Sequence, residues 1–281
     1  MDASKSQLGE LKANKTEPWQ LQMFRRTLKK KQKLQTLVGL LGDVRNQECL
    51  LVTCGDNNGA LNWHFKSLGG NWSWADTESD SIEQISTLTG DPVVEVSKDT
   101  PSLPFPEDQF DVVVTIDVHE HIQDPSTLNI ELARIVKTGG RVIVTTPNGD
   151  ETKLANRIKR AVGMTPEEYG HYVAGYDIPD LEGQLMDVGL KPYRHTSYSR
   201  FFTEMIELMI NFIYVKVLSK RGKAKAEKGQ IAPQSKDQVE SVNKSLKLYS
   251  LAYPLLLAIS KADTFLRFTR GYAVVVAAHK E

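Results

Sequence analysis

The sequence predicts an α/β protein whose parallel sheet is covered by helices on both faces. Short apolar segments rich in β-branched residues alternate with helical patterns of about ten residues between positions 46 and 146. Glycine pairs separate several of these segments, as at Gly69-Gly70 and Gly139-Gly140. The length of 281 residues is sufficient for one large domain with a sizeable core.

Each predicted element rests on a local pattern. Apolar residues recur at helical spacing from 19 to 41, with Lys and Arg on the other faces. Apolar or β-branched runs predict strands at 49–54, 71–75, 93–96, 110–116, 141–146, 193–197 and 272–278. Helical spacing predicts helices at 61–68, 80–88, 126–136, 178–188, 200–218 and 242–270. Residues 1–17 are predicted to be a polar tail, and 219–240 an exposed connector without a core pattern.

Charge is unevenly distributed, although the 35 basic and 35 acidic side chains cancel. Residues 46–131 carry a net charge of −14, whereas residues 1–45 carry +6 and residues 132–281 carry +8. The acidic and basic segments are therefore expected to meet different partners. Aromatic residues are not interleaved with the basic ones, so nucleic-acid binding is not predicted.

The expected compartment is the cytoplasm. Two cysteines, Cys49 and Cys54, are too few for a disulfide framework, and the first residues do not have the apolar stretch of a signal peptide. The most apolar stretches, 201–218 and 246–259, contain charges or are shorter than the roughly 20 residues that span a bilayer.

The first chemical signal is the turn at 53–59, Thr-Cys-Gly-Asp-Asn-Asn-Gly, which follows the first predicted strand. A glycine-rich turn at this place lets the backbone approach a ligand and presents helix N-terminal amides to it. The turn does not have the G-x-G-x-x-G spacing of dinucleotide-binding proteins, which disfavours the alternative of a nucleotide-dependent oxidoreductase.

Acidic residues follow the next strands. Asp76 ends the second predicted strand, where an acid can hold both hydroxyls of a ribose. Asp99 precedes the run Leu-Pro-Phe-Pro-Glu-Asp-Gln-Phe-Asp at 103–111, and Asp117 begins Asp-Val-His-Glu-His after the fourth strand. Because ligands of parallel sheets bind at the carboxyl ends of the strands, we expect these acids around one ligand.

The run at 103–111, the Glu-His pair at 120–121 and the run Gly-Gly-Arg-Val-Ile-Val at 139–144 resemble class I S-adenosylmethionine-dependent methyltransferases of the type 11 kind. The resemblance covers about residues 46–150. It implies a Rossmann-like sheet of seven strands whose last strand is antiparallel. More loosely, residues 170–176, 198–202 and 271–276 resemble a bacterial subgroup linked to surface polysaccharide or lipid assembly.

The resemblance divides the chain into four segments. Residues 1–45 would be a basic N-terminal helical extension, and residues 46–199 the S-adenosylmethionine-binding core. A helical insertion at 200–270 would lie before the last strand and either cap the acceptor or face a membrane. Residues 271–281 would return to the core as the final strand.

Site roles are also implied by the resemblance. Gly55 and Gly59 would flank the amino-acid part of the cofactor, and Asp76 would bind its ribose. Asp99 would accept a hydrogen bond from the adenine amino group, beside the backbone amide of Thr100.

The glycine-rich turn departs from the family at two positions. Thr53 stands where the family has an acid that contacts the cofactor's amino group, and Asn57 stands where it has a glycine. Asn tolerates positive φ, so the turn is expected to survive, and the neighbouring Asp56 is the candidate to replace the missing acid. A catalytically weak relative that serves as a binding or scaffold subunit therefore stays an alternative.

Methyl transfer to a hydroxyl needs a base near the transferred methyl group, and histidine suits this role near neutral pH. Asp117, after the fourth strand, would lie near the sulfonium and the acceptor according to the resemblance. His121 follows in the same loop and His171 precedes the variable region, so these three are the candidate catalytic residues. A structural hydrogen-bonding role is an equal alternative for His121, and it is favoured for His119 and His171.

A metal site is a separate alternative that we do not favour. Asp117, Glu120 and His121 have ligand types that suit a hard divalent ion, as in the similar quinone-type O-methyltransferases. Glu120 also has an ordinary explanation, since an acid at this place can cap or salt-bridge the following helix. The sequence is therefore predicted to hold no metal.

The basic segments suggest a membrane partner. Residues 19–41 and 200–218 pair an apolar face with Lys or Arg, and 220–225 adds a basic cluster. Such segments bind anionic membrane surfaces. In the alternative, the apolar faces pack on the core or on a second subunit of a homo-oligomer, and the lysines are solvated. Peripheral association with the inner face of the membrane therefore stays open.

Together these observations predict an S-adenosylmethionine-dependent methyltransferase with a small, glycan or lipid-linked acceptor, whose methylated atom is expected to be a hydroxyl oxygen.

Overall fold

The computed structural model describes residues 17–55, 57–218, 233 and 235–281. Its centre is a seven-stranded sheet with the strand order β3-β2-β1-β4-β5-β7-β6. The strands are β1 Glu48–Thr53, β2 Asn71–Asp76, β3 Val93–Glu95, β4 Phe110–Ile116, β5 Val136–Pro147, β6 Leu190–Tyr198 and β7 Ala273–Lys280.

Helices surround this sheet. In the described residues they are α1 Trp19–Phe24, α2 Lys29–Leu41, α3 Ala60–Lys66, α4 Ser79–Thr89, α5 Pro125–Ile135, α6 Leu154–Ala161, α7 Ile178–Met186, α8 Phe201–Phe212, α9 Lys236–Ser241 and α10 Asn243–Ser260. Short 3₁₀ segments occur at His119–His121, Pro166–Tyr169 and Lys261–Leu266, and α8 continues as a π-helical segment at Ile213–Leu218.

Strands β1 to β5 run parallel, and β7 is antiparallel to both β5 and β6. This confirms the predicted Rossmann-like architecture with an antiparallel last strand. The register aligns Thr53 with both Asp76 and Ile116, so the carboxyl ends of β1, β2 and β4 lie at one edge. The helices α8 to α10 lie between β6 and β7 in the chain, where the insertion was predicted.

Side chains alternate between the two faces of the sheet along each strand, and helices cover both faces. Both faces are therefore buried. Leu50 and Val52 of β1 belong to a cluster with residues of α5 and α7, whereas Cys49 and Leu51 belong to a cluster on the other face with residues of α2 and α3. The β-branched runs predicted as strands are therefore the two-sided core of the sheet.

The N-terminal segment differs from the single predicted helix. It forms two helices: α1 ends at Phe24, and α2 begins at Lys29. Leu37 and Leu41 of α2 are fully buried against the sheet. For residues 19–41, packing on the core is thus the alternative that the structure supports.

The connector predicted at 219–240 lies largely outside the described residues, as do residues 1–16 and the basic cluster at 220–225. Its end is not a connector, because Lys236–Ser241 forms the short helix α9. Ser235 begins this helix with a capping box, in which its side chain accepts from the backbone of Gln238. Within the described ranges, no helix combines the length and apolarity that crossing a membrane requires.

Gly175, in the segment after α6, lies close to the backbone at the end of β5. Replacing it with Ala is expected to destabilise the fold. Its φ is +123°, and an added Cβ would lie 2.1 Å from the carbonyl oxygen of Pro147. The expected loss in unfolding free energy is about 1–3 kcal/mol. Chemical denaturation should detect this loss.

The matched control is Gly183→Ala in α7, where an added Cβ meets no atom within 4 Å. Removing a helical glycine is expected to raise the unfolding free energy by about 0.5–1 kcal/mol. Equal effects of the two substitutions would contradict the importance of the close approach at Gly175.

Candidate functional site

A cavity of about 560 Å³ lies at the edge where the parallel strands end. Its walls come from the turn after β1, the loop after β4, the helices α2, α6 and α8, and the segment at 164–174. Ligand sites of parallel sheets lie at this edge, and the volume is in the range of small-molecule pockets, about 300–1,000 Å³.

The turn after β1 is held in place by Asp76. The hydroxyl of Thr53 donates to one carboxylate oxygen of Asp76. The other oxygen accepts from the amides of Gly55 and Glu78, each at 2.9 Å. Thr53 is therefore a partner of Asp76, and an acid at its place would put a second carboxylate beside a buried one.

Asn57 stabilises the turn through its side chain, which corrects the expectation based on backbone conformation. Asn57 is not among the described residues with positive φ. Its amide instead donates to Thr53 at 3.1 Å and to Asn62 at 2.9 Å, and its oxygen accepts from the amide of Gly59 at 3.0 Å. The positive φ of the turn falls on the glycines, with +66° at Gly55 and +84° at Gly59. Asp56 lies outside the described residues.

The acids predicted to hold ribose and adenine do not line the cavity. Asp76 is fully buried and its oxygens are taken by the turn, whereas Asp99 and Thr100 are exposed. Their contacts with a ligand stay predictions. Glu78 lines the cavity instead, where its carboxylate pairs with Lys98.

Asp117 lines the cavity, and it is paired with a residue of the N-terminal extension. Its backbone is in the left-handed region, with φ +51°, and its carboxylate forms an ion pair with Lys33 of α2. Burial opposes the ionisation of Asp117, but Lys33 outweighs it and lowers the pKa of this carboxyl. Lys33 itself is buried, so α2 forms part of the site.

Glu120 is the exceptional acid of the cavity. Its side chain is 0% exposed, and neither carboxylate oxygen has a hydrogen-bond partner among the described residues. Burial raises the pKa of Glu120 well above its usual range, and nearby Asp117 raises it further. Glu120 lines the same cavity as Cys54 and Gly55 of the glycine-rich turn.

His121 has a fixed ring orientation. Its Nδ1 lies 3.0 Å from the carbonyl oxygen of Gly170. Because a carbonyl oxygen only accepts, Nδ1 carries the proton and the lone pair of Nε2 is left for another group. Burial lowers the pKa of His121, so the imidazole is neutral at physiological pH.

His171 lies edge-on to His121, with ring centroids 4.6 Å apart, and both rings line the cavity. Burial, with His121 adding to it, lowers the pKa of His171 to about 3. The amide of Tyr172 donates to the carbonyl of Glu120 at 2.8 Å, so the backbone of the segment 170–172 is hydrogen-bonded to the loop after β4. The two predicted histidines are thus brought together.

His119 is structural in its surroundings. It is 0% exposed, and its Nε2 lies 2.8 Å from the side-chain oxygen of Asn129. Burial lowers its pKa to about 4. It does not line the cavity.

Glu120, His121 and His171 have potential metal-ligand atoms that lie within 4.8 Å of one another. This group differs from the predicted alternative of Asp117, Glu120 and His121, because the carboxylate of Asp117 is held by Lys33. One carboxylate and two imidazoles suit a divalent transition metal.

The far side of the cavity contains a buried ionic cluster around Glu204 of α8. Its carboxylate pairs with Lys29 of α2 at 3.0 Å and with Lys159 of α6, and it accepts from the Ser199 hydroxyl at 2.6 Å. Burial opposes ionisation, but Lys159 and Lys29 lower the pKa of Glu204 to about 2. This cluster joins the N-terminal helix to the insertion.

Sequence reasoning missed Lys33, Glu78, Lys98 and Glu204. The spacing of Lys29 and Lys33 was a usable signal, because residues four apart share a helix face. Nothing local indicated which acids they meet, since Asp117 and Glu204 are distant in sequence.

Comparisons with known proteins bear on the fold and on the central segment of the chain. Residues 50–144 match the family model described as a methyltransferase domain. Among curated proteins, no match was found.

Solved structures share the fold. An S-adenosylmethionine-dependent methyltransferase of Mesorhizobium loti has a TM-score of 0.51 at 12% identity, over 87% of this chain and 96% of that chain. An S-adenosylmethionine-dependent methyltransferase of Thermotoga maritima has a TM-score of 0.50 at 14% identity, over 89% of both chains. The YcgJ protein of Bacillus subtilis has a TM-score of 0.50 at 14% identity, over 88% of this chain and 98% of that chain. Residues 50–144 thus match a methyltransferase domain, and the chain shares its fold with S-adenosylmethionine-dependent methyltransferases.

Proposed function

We propose that this protein transfers the methyl group of S-adenosylmethionine to a hydroxyl oxygen of a small, glycan or lipid-linked acceptor, with His121 as the general base. The observation that carries the proposal is the neutral His121 ring, whose Nδ1 is held by Gly170 so that Nε2 remains basic in the cavity. A hydroxyl acceptor needs this base, because an alcohol is a poor nucleophile before it loses its proton.

The residues of the cavity fit the cofactor. Gly55 brings backbone close to the space where a ligand would lie, and its turn is held rigidly by Asp76. S-adenosylmethionine carries an ammonium and a sulfonium, which favour an anionic partner. Most lining acids already have cations, as Asp117 has Lys33, but Glu120 has no such partner among the described residues. Glu120 therefore fits the ammonium group.

Glu78 is our candidate for the ribose. It lies two residues after the end of β2 and lines the cavity, whereas Asp76 is enclosed by the turn. Its carboxylate can accept from hydroxyls while it stays paired with Lys98.

When bound, the cofactor supplies an electrophilic methyl group. Nε2 of His121 accepts the proton of the acceptor hydroxyl, and the carbonyl of Gly170 keeps the ring oriented during the transfer. Residues of α2 and α8 line the far side of the cavity, which orients the acceptor and excludes water.

The acceptor class is inferred from the residues that line the far side of the cavity. It combines the ionic cluster around Glu204 with apolar atoms of Leu208 and Met164, so it suits an acceptor with both hydroxyls and apolar parts. The loose resemblance of residues 170–176 and 198–202 to proteins of surface polysaccharide or lipid assembly supports a glycan or lipid-linked acceptor.

Calorimetry with S-adenosylhomocysteine tests the cofactor part. We expect one site, with weaker binding but unchanged thermal stability in Glu78→Gln. Asp76→Ala should lose both binding and stability, because it removes the partner of the turn. Absence of binding by the wild type would overturn the proposal.

Transfer is tested by mass spectrometry of a cell extract incubated with protein and isotope-labelled S-adenosylmethionine. A labelled methyl ether on a hydroxyl-bearing component is expected. Cofactor binding without transfer to any fraction would overturn catalysis and favour a binding or scaffold subunit.

A further inference from the structure

The insertion presents an apolar stripe to solvent. Leu248, Leu251 and Leu255 of α10 follow one another at helical spacing and are 69%, 81% and 65% exposed. Phe265 and Phe268, just after α10, are 81% and 84% exposed. We call these five residues the α10 face. Its two phenylalanines alone present about 300 Å² of apolar surface. In globular proteins, large exposed apolar patches mark interaction sites.

The opposite side of α10 is fixed to the protein, so the exposure does not reflect a detached helix. The hydroxyl of Tyr249 donates to the backbone carbonyl of Arg26, and the hydroxyl of Tyr253 accepts from Lys31 at 2.9 Å. Asp263, after α10, accepts from the amides of Phe202 and Thr203 at the start of α8, at 2.8 and 3.0 Å. The α10 face is therefore held rigidly outward.

Basic side chains predominate along residues 243–270, although the exposed acids Asp237 and Glu240 of α9 precede α10. Exposed basic side chains lie at both of its ends, at Lys244, Lys247, Lys261, Arg267 and Arg270. The single acid in residues 243–270, Asp263, is buried. An apolar surface with a basic rim complements an anionic lipid surface, because the phenylalanines enter the headgroup region while the cations meet lipid phosphates. A symmetric contact between two copies would instead bring these like charges together.

We propose that the α10 face docks the protein on an anionic membrane surface. The inference rests on the proposed function, because it selects the lipid-linked class among the proposed acceptors. The far side of α10 packs on α8, whose Glu204 and Leu208 line the cavity. Docking would therefore place the acceptor wall of the cavity within one helix layer of the lipid surface. In this proposal the α10 face, and not α2, meets the membrane, since Leu37 and Leu41 of α2 are buried.

Vesicle flotation of the full chain tests the proposal without cofactor or acceptor, so its result does not depend on catalysis. Vesicles of phosphatidylcholine with about 30% phosphatidylglycerol should float at least about tenfold more protein than vesicles of phosphatidylcholine alone. Phe265→Ser with Phe268→Ser should abolish flotation, and Arg267→Gln with Arg270→Gln should reduce it and its dependence on salt.

The matched control is Ile130→Ser on α5, which removes an exposed apolar side chain, 56% exposed, from another helix. It should float like the wild type. Unchanged binding of S-adenosylhomocysteine by all variants shows that they are folded. Absence of wild-type flotation on anionic vesicles would overturn the proposal, as would wild-type flotation of the double phenylalanine variant. A dimer in light scattering that the same variant converts to a monomer would assign the α10 face to self-association and also overturn it.

Discussion

Replacing Glu120 with Gln is expected to weaken binding of S-adenosylhomocysteine by roughly 10- to 100-fold, the equivalent of a lost charge-assisted hydrogen bond. Glu120 is a buried, cavity-lining carboxyl without a hydrogen-bond partner among the described residues. Gln keeps its shape but cannot carry the charge that the ligand's ammonium group needs. Titration calorimetry measures the effect directly.

The raised pKa of Glu120 predicts how stability and ligand affinity depend on pH. Burial raises the pKa of Glu120 well above its usual range, so the free protein binds a proton there that the unfolded chain releases. Stability is therefore lost as pH rises above the usual pKa of a glutamate, and Glu120→Gln removes this loss. The variant should be at least as stable as the wild type near neutral pH. Binding of the ammonium ligand should release the proton, so affinity should rise with pH in the wild type only.

The matched ligand is 5′-methylthioadenosine, which does not have the amino-acid part. Its affinity should be the same for the wild type and Glu120→Gln. An equal loss of affinity for both ligands, or no proton release in buffers of different ionisation enthalpy, would show that Glu120 does not bind the ammonium group.

Replacing His121 with Gln is expected to lower the turnover number by about 10²- to 10⁴-fold, the usual contribution of a general base. Binding of S-adenosylhomocysteine should be unchanged, because the proposed cofactor contacts come from other residues. The measurement needs the acceptor that the labelled-cofactor experiment identifies, and it separates the rate of transfer from binding.

The pH profile follows from the direction of the shift. Burial lowers the pKa of His121 below its ordinary value of about 6.5, so the basic form dominates at neutral pH. Transfer by the wild type should be constant above this range and fall as pH decreases below it. The residual transfer of His121→Gln should not show this fall.

His195→Gln is the matched control, because His195 is an exposed histidine paired with Glu182 and does not line the cavity. It should retain the wild-type rate and pH profile. Loss of transfer on removal of divalent cations by a chelator, with recovery on their addition, would contradict the role of a base. It would instead favour a metal held by Glu120, His121 and His171.

The strands were predictable because they are buried on both faces. The run at Phe110–Ile116 has the same bounds in the sequence prediction and in the structure, since a short β-branched run favours a strand that is buried on both faces. The long helix predicted at 19–41 was wrong at its centre. Helical spacing continues through residues 25–28, but the amide and the hydroxyl of Thr27 both donate to the carbonyl of Phe24, and the chain forms two helices, α1 and α2.

The candidate site was predictable where it depends on one loop, and not where it depends on distant pairing. Asp117, Glu120 and His121 follow a strand, so their place at the sheet edge was expected. The identity of Lys33 as the partner of Asp117 depends on how α2 packs, which local spacing does not specify. The function of Asp76 was likewise hidden, because only the fold shows that the turn at Gly55 uses its carboxylate oxygens.

The ion pair between Lys33 and Asp117, together with the pairing of Lys29 and Lys159 with Glu204, has an evolutionary consequence. In the proposed function the matched segment 50–144 supplies the cofactor end, whereas α2, α6 and α8, which line the far side of the cavity, lie outside it. Substrate preference can therefore diverge through exchange of the flanking helices, while selection on the cofactor end remains unchanged. Lineages with nearly identical cores can thus acquire different acceptors.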